Sequence, residues 1–335
     1  MHQIIIFSFL LNLIIFYKQT FLSLKYNIFD IPDFKRKIHK KPTPLLGGLI
    51  IFINIFIFCV INFLNSNYLF FQVTGFNFGL FTVSITMFYL LGYYDDKKDI
   101  NSTIKFGLMT LILIFSIFFD DGLIIKELSF SFLDNKINLN GFSYFVTILC
   151  FLLFINGFNM MDGINCQSST YALIILLIFL SKGILMFFCI AVLIPLIFFI
   201  YHNFKDRMYL GDSGTLILGF LISYMFIKSY NSNFILYVDE IFLIMCVPGY
   251  ELLRLFIKRI MKNKNPFSAD KNHLHHYLIA KYTWLETYIL IQVILFLPIL
   301  TYIFSKLFFL SFIISLLIYY ISLNYLPKFK NNKNI

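Results

Sequence analysis

Acidic residues stand in four separate segments of this chain, each at the edge of a long apolar run. Asp95 and Asp96 lie together in GYYDDKKD (92–99), Asp162 in NGFNMMDGIN (156–165), Asp212 in YLGDSG (209–214) and Asp270 in PFSADKNHLHH (266–276). A carboxylate at a membrane boundary is costly unless it meets water, a cation or a polar cavity. Lysine and arginine crowd the same side, and carboxylates facing a basic surface with room for a divalent cation point to chemistry on phosphates. Asp212 and Ser213 open an apolar run between Gly211 and Gly214, glycines that let a ligand approach the backbone. Asp212 reads as a magnesium ligand, because Mg2+ takes one or two carboxylates together with phosphate oxygens; the alternative is an N-cap aspartate. The adjacent Asp95 and Asp96 can bind a magnesium-phosphate group or take a proton. Otherwise they are a solvated helix end beside Lys97 and Lys98.

Asn156, Asn159 and Asp162 are spaced three apart, which on a helix places them on one face, with Gly163 following. Two amides and a carboxylate suit the hydroxyls and ring edges of a sugar nucleotide; the bland alternative is an interfacial helix end. Asn165, three residues past Asp162, is expected to line the same pocket. His273, His275 and His276 have no acidic or cysteine partner at zinc-site spacing. Among Lys264 and Lys271 they suit pyrophosphate oxygens. The basic stretch DIPDFKRKIHKKPTPLLGG (30–48) contains Arg36 and His39. Next to a membrane such a stretch usually contacts anionic lipid, but Pro42, Pro44, Gly47 and Gly48 indicate a shaped loop.

The elements that must position these residues are membrane helices. Of 335 residues, 59% are hydrophobic and 13% charged, with mean hydropathy +0.82; soluble domains carry about 25% charged residues. A span needs about 20 apolar residues, and runs near 3–21, 46–64, 78–94, 104–119, 142–158, 168–181, 184–201, 213–228, 234–256, 285–304 and 307–325 predict eleven transmembrane helices in a single all-α domain over 1–335. The first run lacks the basic n-region and small-residue cleavage site of a signal peptide. Placing the loops on alternate sides puts 22 of the 27 Lys and Arg residues on one side. By the positive-inside rule that side is cytoplasmic, with the N-terminus outside and the C-terminus inside. The cytoplasmic loops are then 22–45, 95–103, 159–167, 202–212, 257–284 and the C-terminal tail, and the first five carry the motifs. The net charge of +10 lies in these short loops, so it reads as orientation, not as nucleic-acid binding. Five cysteines without CxxC spacing argue against a disulfide framework. Residues 123–140 alternate apolar positions around Asp134, Asn135 and Lys136, which predicts a small external β-hairpin.

Taken in order, these segments resemble the polyprenyl-phosphate N-acetylhexosamine-1-phosphate transferases of glycosyltransferase family 4. The resemblance runs from about Asp30 to Leu278. It rests on Asp30, Pro32, Arg36, Lys37, His39, Pro42, Pro44, Gly47 and Gly48; on Gly92, Asp95 and Asp96; on Asn156, Asn159, Asp162 and Gly163; on Gly211, Asp212 and Gly214; and on Pro266, Phe267, Asp270, His273, Leu274, His275 and His276. It implies transfer of an N-acetylhexosamine 1-phosphate from a UDP-sugar to a polyprenyl (undecaprenyl) phosphate in a bacterial inner membrane, releasing UMP on the cytoplasmic side. Magnesium is the implied cofactor, with manganese as the alternative, and a homodimer is open. Asp212 then holds the metal, with Asp95 as a second candidate, and Asp95 or Asp96 deprotonates or orients the acceptor phosphate. Asn156, Asn159, Asp162, Gly163 and Asn165 bind the nucleotide sugar, and Tyr209 stacks on uracil. Arg36, His39, Lys105, His273, His275 and His276 bind substrate, chiefly at the pyrophosphate. A covalent phospho-aspartate is left open.

Some positions depart from the family pattern. Asn165 stands where many members have Asp, resembling the branch that builds O-antigen and similar surface polysaccharides. Thr215 replaces a usual Ser, Leu45 a common Arg, and Glu251 a common Asp, while Cys166 and Gln167 replace a glycine-rich continuation. A transporter or flippase for lipid-linked sugars is the rival from another class. It would place charges near the membrane midplane between repeats, and no repeat is visible. The D-G-x-x-A-R signature of transferases acting on CDP-activated alcohols is absent.

Overall fold

The computed structural model describes residues 2–26, 28–31, 42–65, 73–266, 270 and 272–324. Arg36, Lys37 and His39 lie outside the described residues, as do Pro32, Phe267 and Lys271. Among the described residues the chain forms thirteen α-helices: α1 (His2–Tyr17), α2 (Gln19–Tyr26), α3 (Gly47–Leu64), α4 (Gly75–Lys98), α5 (Ser102–Phe119), α6 (Ser143–Met161), α7 (Gln167–Ser181), α8 (Met186–Phe204), α9 (Gly211–Asn231), α10 (Val238–Ile260), α11 (Leu274–Ile279), α12 (Trp284–Ser305) and α13 (Phe308–Asn324). Long apolar runs without internal water can satisfy their backbone only as helices, and each of the eleven expected runs contains one.

The count of eleven spans is not confirmed. By length and composition α3, α4, α5, α6, α8, α9 and α12 can each cross a membrane, and the α1–α2 pair makes an eighth although it bends by 69°. Helices α7 and α13 are apolar but shorter. Helix α10 is long enough at 23 residues but carries Asp239, Glu240, Glu251, Arg254, Lys258 and Arg259.

Helix α9 is the axis of the molecule. It is 94% buried over its most apolar stretch, against 22% for the peripheral α5. A helix apolar on every side belongs in the core, and α9 packs against α4, α6 and α3. Phe220 stacks on Phe88 with centroids 4.6 Å apart and on Phe151 at 5.9 Å. Small residues set the closest approaches: a Cβ on Gly48 would lie 2.4 Å from Gly214 N, and one on Gly92 would lie 2.4 Å from Ser213 Cα. These glycines let α3 and α4 touch the first turn of α9.

At the other end of α9 a buried ion pair joins Lys228 to Asp120 at 2.7 Å. The expected hairpin is here, as β3 (Glu127–Leu128) antiparallel to β4 (Ile137–Asn138). It is fastened by Tyr230, whose hydroxyl accepts from Ser129 N at 2.8 Å, and by Asp239, whose carboxylate accepts from Ser131 N. A second antiparallel pair, β1 (Phe29–Asp30) with β2 (Thr43–Pro44), was not anticipated. It closes the two ends of the basic stretch against each other.

Candidate active site

The acidic motifs converge where α4 ends and α9 begins. Adjacent residues on a helix point about 100° apart, so Asp95 and Asp96 have different partners. Asp96 accepts from Asp212 N at 2.6 Å and Ser213 N at 3.1 Å, one bond to each carboxylate oxygen. It therefore caps the positive end of α9 from outside that helix. Gly211 has φ +72°, and a Cβ there would lie 2.7 Å from Asp96 Oδ2, so the turn into α9 requires glycine. Asp95 instead accepts from Ile100 N at 2.6 Å and pairs with Lys105 at 2.7 Å. The same Lys105 Nζ reaches Asp212 Oδ1 at 2.6 Å. Three carboxylates thus face one ammonium and one helix N-terminus, which leaves the corner negative.

Helix α6 supplies the next side. Asn159 donates through Nδ2 to Asp212 Oδ1 and, at 2.7 Å, to Thr215 Oγ1. Asn156, one turn earlier, donates to Leu152 O of its own helix at 2.7 Å and is not brought to Asp212. Asp162 caps the end of α6 and accepts from Ser168 Oγ. Burial pushes its carboxyl up to about 7, and the charge of Asp212 adds to this against the Ser168 bond. Asn165 does not join this group: its amide donates to Asp206 Oδ1 in the turn after α8.

Tyr209 ties the basic stretch to the site. Tyr209 N donates to Pro44 O at 2.8 Å, while Gly47 N and Gly48 N donate to Tyr209 O and Leu210 O, each at 3.1 Å. Burial also raises the pKa of the Tyr209 hydroxyl, which hydrogen-bonds Thr43.

The histidine segment closes the site from the α10 side. A Cβ on Gly163 would lie 2.0 Å from His275 Cε1, so the end of α6 and the buried His275 are in direct contact. The rings of His275 and His276 are 4.2 Å apart, and those of His273 and His275 5.3 Å. Burial lowers His273 to about 4 despite nearby Asp270, and lowers His275 well below the usual imidazole value, so both are neutral near pH 7. They would meet a phosphate as hydrogen-bond donors rather than as cations.

Sequence reasoning overlooked what holds this segment. Arg259 pairs with Asp270 at 2.8 Å and donates to Pro266 O at 2.7 Å. Although burial alone would raise it, the Arg259 hydrogen bond holds the Asp270 carboxyl below its ordinary value. Glu251 accepts from Leu274 N at 2.7 Å, and Arg254 donates to Asn272 O at 2.6 Å. Glu251, Arg254 and Lys258 recur at helical spacing on α10. That spacing of one acidic and two basic residues on a single helix face is the signal in the sequence that could have found them. Asn265 also donates to Thr103 at 3.3 Å, linking the segment to the first turn of α5 that bears Lys105.

The chain is similar in sequence to known proteins. Residues 78–230, from α4 to the end of α9, match the model of "Glycosyl transferase family 4". A Bacillus subtilis protein named "Probable undecaprenyl-phosphate N-acetylglucosaminyl 1-phosphate transferase" is 29% identical over 269 residues, covering 77% of this chain and 72% of its own. Proteins named "Undecaprenyl-phosphate alpha-N-acetylglucosaminyl 1-phosphate transferase" are similar too. The one from Yersinia pestis is 27% identical over 303 residues (86% and 79% of the two chains), and the one from Escherichia coli K12 is 25% identical over 283 residues (80% and 73%). The chain is thus similar to glycosyl transferase family 4 over α4 to α9 and to these named transferases over most of its length.

Proposed function

We propose that the protein transfers N-acetylhexosamine 1-phosphate from a UDP-sugar to undecaprenyl phosphate, yielding undecaprenyl-pyrophosphoryl sugar and UMP. The observation that carries this reading is the corner where Lys105 joins Asp95 to Asp212 and Asn159 fixes Asp212, built from three separate family motifs. An oxygen of the acceptor phosphate attacks the β-phosphorus of the donor. The bond from that phosphorus to the bridging oxygen breaks, and UMP leaves with the electron pair. In such phosphoryl transfer, positioning and charge neutralisation carry most of the catalysis.

The residue roles follow from the contacts. Asp96 spends both carboxylate oxygens on the backbone of α9, so Asp95 is the better candidate to orient the acceptor, and Asp96 holds Asp212 in place. Lys105 is poised to exchange its carboxylate partners for pyrophosphate oxygens. Asn159 and Asp162 face the donor, and the neutral His273 and His275, with His276, offer N–H groups to its phosphates.

The donor set at the corner fits magnesium. Hard carboxylate oxygens of Asp212 and Asp95 face each other across one cation, and the excess negative charge favours a divalent ion. When bound, the metal would neutralise charge developing on the transferred phosphate.

The excess of basic residues in the loops of this side supports a cytoplasmic active site in the inner membrane, where UDP-sugars are available. The transporter reading is not favoured, because the site residues gather at one end of the helices. Purified protein supplied with undecaprenyl phosphate, Mg2+ and a panel of UDP-N-acetylhexosamines should release UMP with at least one donor. Release should stop on chelation and return with Mg2+. No UMP from any donor would overturn the proposal.

A further inference from the structure

Glu251 lies on α10 with 7% of its surface exposed, and it joins the histidine segment to the last helix. Its Oε1 accepts from Leu274 N, the first residue of α11, at 2.7 Å and from Arg254 Nη2 at 2.8 Å. Its Oε2 accepts from Arg254 Nε at 3.2 Å and from the hydroxyl of Tyr319 on α13. Arg254 Nε also donates to Tyr319 Oη at 2.9 Å, and Arg254 Nη2 holds Asn272 O just before the first histidine. The carboxylate therefore sets both the start of α11 and, through Arg254, the residue before His273. His273 Nδ1 lies 3.9 Å from Glu251 Oε1, beyond hydrogen-bond reach, so the histidine is placed through the backbone rather than paired directly.

The contact with α13 is specific. One turn away, Tyr250 and Ser315 share a hydrogen bond of 2.8 Å between the same two helices, and the Tyr250 and Tyr319 rings are 5.6 Å apart. Two tyrosine hydroxyls thus bridge the same helices, but only that of Tyr319 reaches a group that holds the histidine segment. A buried carboxylate with fully used oxygens transmits small displacements, because breaking one charged hydrogen bond redistributes the others.

We propose that Glu251 and Tyr319 are a positioning pair for His273–His276, through which α13 governs transfer without touching substrate. The inference rests on the proposed transferase reading. Its test compares Tyr319→Phe, which keeps the ring contact, with Ser315→Ala, which removes the neighbouring bond between the same helices. Tyr319→Phe should lower kcat by about tenfold with donor KM changed less than about twofold, the effect of one charge-assisted hydrogen bond. Ser315→Ala should leave kcat unchanged while costing similar thermal stability. Adding Tyr319→Phe to Glu251→Gln should lower kcat no further, since the two act as one unit. A second readout needs no turnover: carbethoxylation of His273 in the full-length protein, followed by mass spectrometry, should be several-fold faster in Tyr319→Phe than in wild type or Ser315→Ala. Equal modification rates, or kcat losses that track stability equally in both variants, would overturn the positioning role. A wild-type protein inactive with every donor would overturn the transferase reading, while the modification rates would still decide the pair.

Discussion

Gly163→Ala is the sharpest test of how the site is assembled. An added Cβ would lie 2.0 Å from His275 Cε1, 2.1 Å from Nε2 and 2.6 Å from Nδ1, so it would meet the imidazole broadside. The ring cannot swing aside cheaply. His275 is 6% exposed, its neighbours His276 and His273 lie 4.2 and 5.3 Å away, and Glu251 pins the start of α11. Overpacking of this kind costs about 1–3 kcal/mol. If the strain is relieved by moving the histidine segment away from α6, the same energy appears as a fall of about 5- to 150-fold in kcat/KM. Gly107→Ala is the matched control: a Cβ there meets nothing within 4 Å, so the change should be neutral or stabilise α5 by up to about 1 kcal/mol. Thermal unfolding in detergent and steady-state UMP release would be measured for both. A Gly163→Ala protein with wild-type Tm and wild-type kcat/KM would refute the contact between the two motifs.

Further outcomes follow from the same contacts. Asp212→Asn should abolish transfer with little loss of folded protein, because a neutral amide is a poor Mg2+ ligand, whereas Asp96→Ala should also lower stability by about 1–2 kcal/mol by uncapping α9; equal Tm for the two variants would contradict the capping role. His273 has its pKa lowered from 6.5 to about 4, so the unfolded chain binds more protons between those values. The His273 contribution to stability should therefore rise by about 3 kcal/mol from pH 4 to 6.5, read as the difference between the unfolding profiles of wild type and His273→Asn, because the raised carboxyl of Asp162 contributes with the opposite sign in both proteins. Asn165→Asp should lose its hydrogen bond to Asp206 and set two exposed carboxylates side by side, costing less than about 1 kcal/mol and recovering in high salt; an unchanged Tm at low salt would count against that contact.

Much of this site was legible because membrane proteins segregate polar residues so strictly. Asp95, Lys105, Asn159 and Asp212 stood out against apolar runs, and the structure brings them to one corner. What was hidden depended on rotation and depth rather than residue type. Asp95 and Asp96 are chemically identical, and only the helical turn between them decides that one faces Lys105 while the other caps α9. The central place of α9 was equally hidden, since an apolar run reads alike whether it faces lipid or protein. Its glycine partners Gly48 and Gly92 show their purpose only when the helices cross. The 69° bend after Tyr17 has no proline or glycine to announce it, and the pairing of β1 with β2 spans too few residues to leave an alternating pattern. Asn165 was placed by spacing from Asp162 as if α6 continued, but that helix ends at Met161 and the chain turns toward Asp206.

The central claim is that a phosphorylated sugar, not the sugar alone, passes to the lipid. UDP-N-acetylglucosamine labelled with 32P at the β-phosphorus, incubated with purified protein, undecaprenyl phosphate and Mg2+, separates the two chemistries in one extraction. Attack at the β-phosphorus carries the label into the organic phase and leaves unlabelled UMP in water. Attack at the sugar carbon would instead leave all the label in aqueous UDP, and that result would contradict the account.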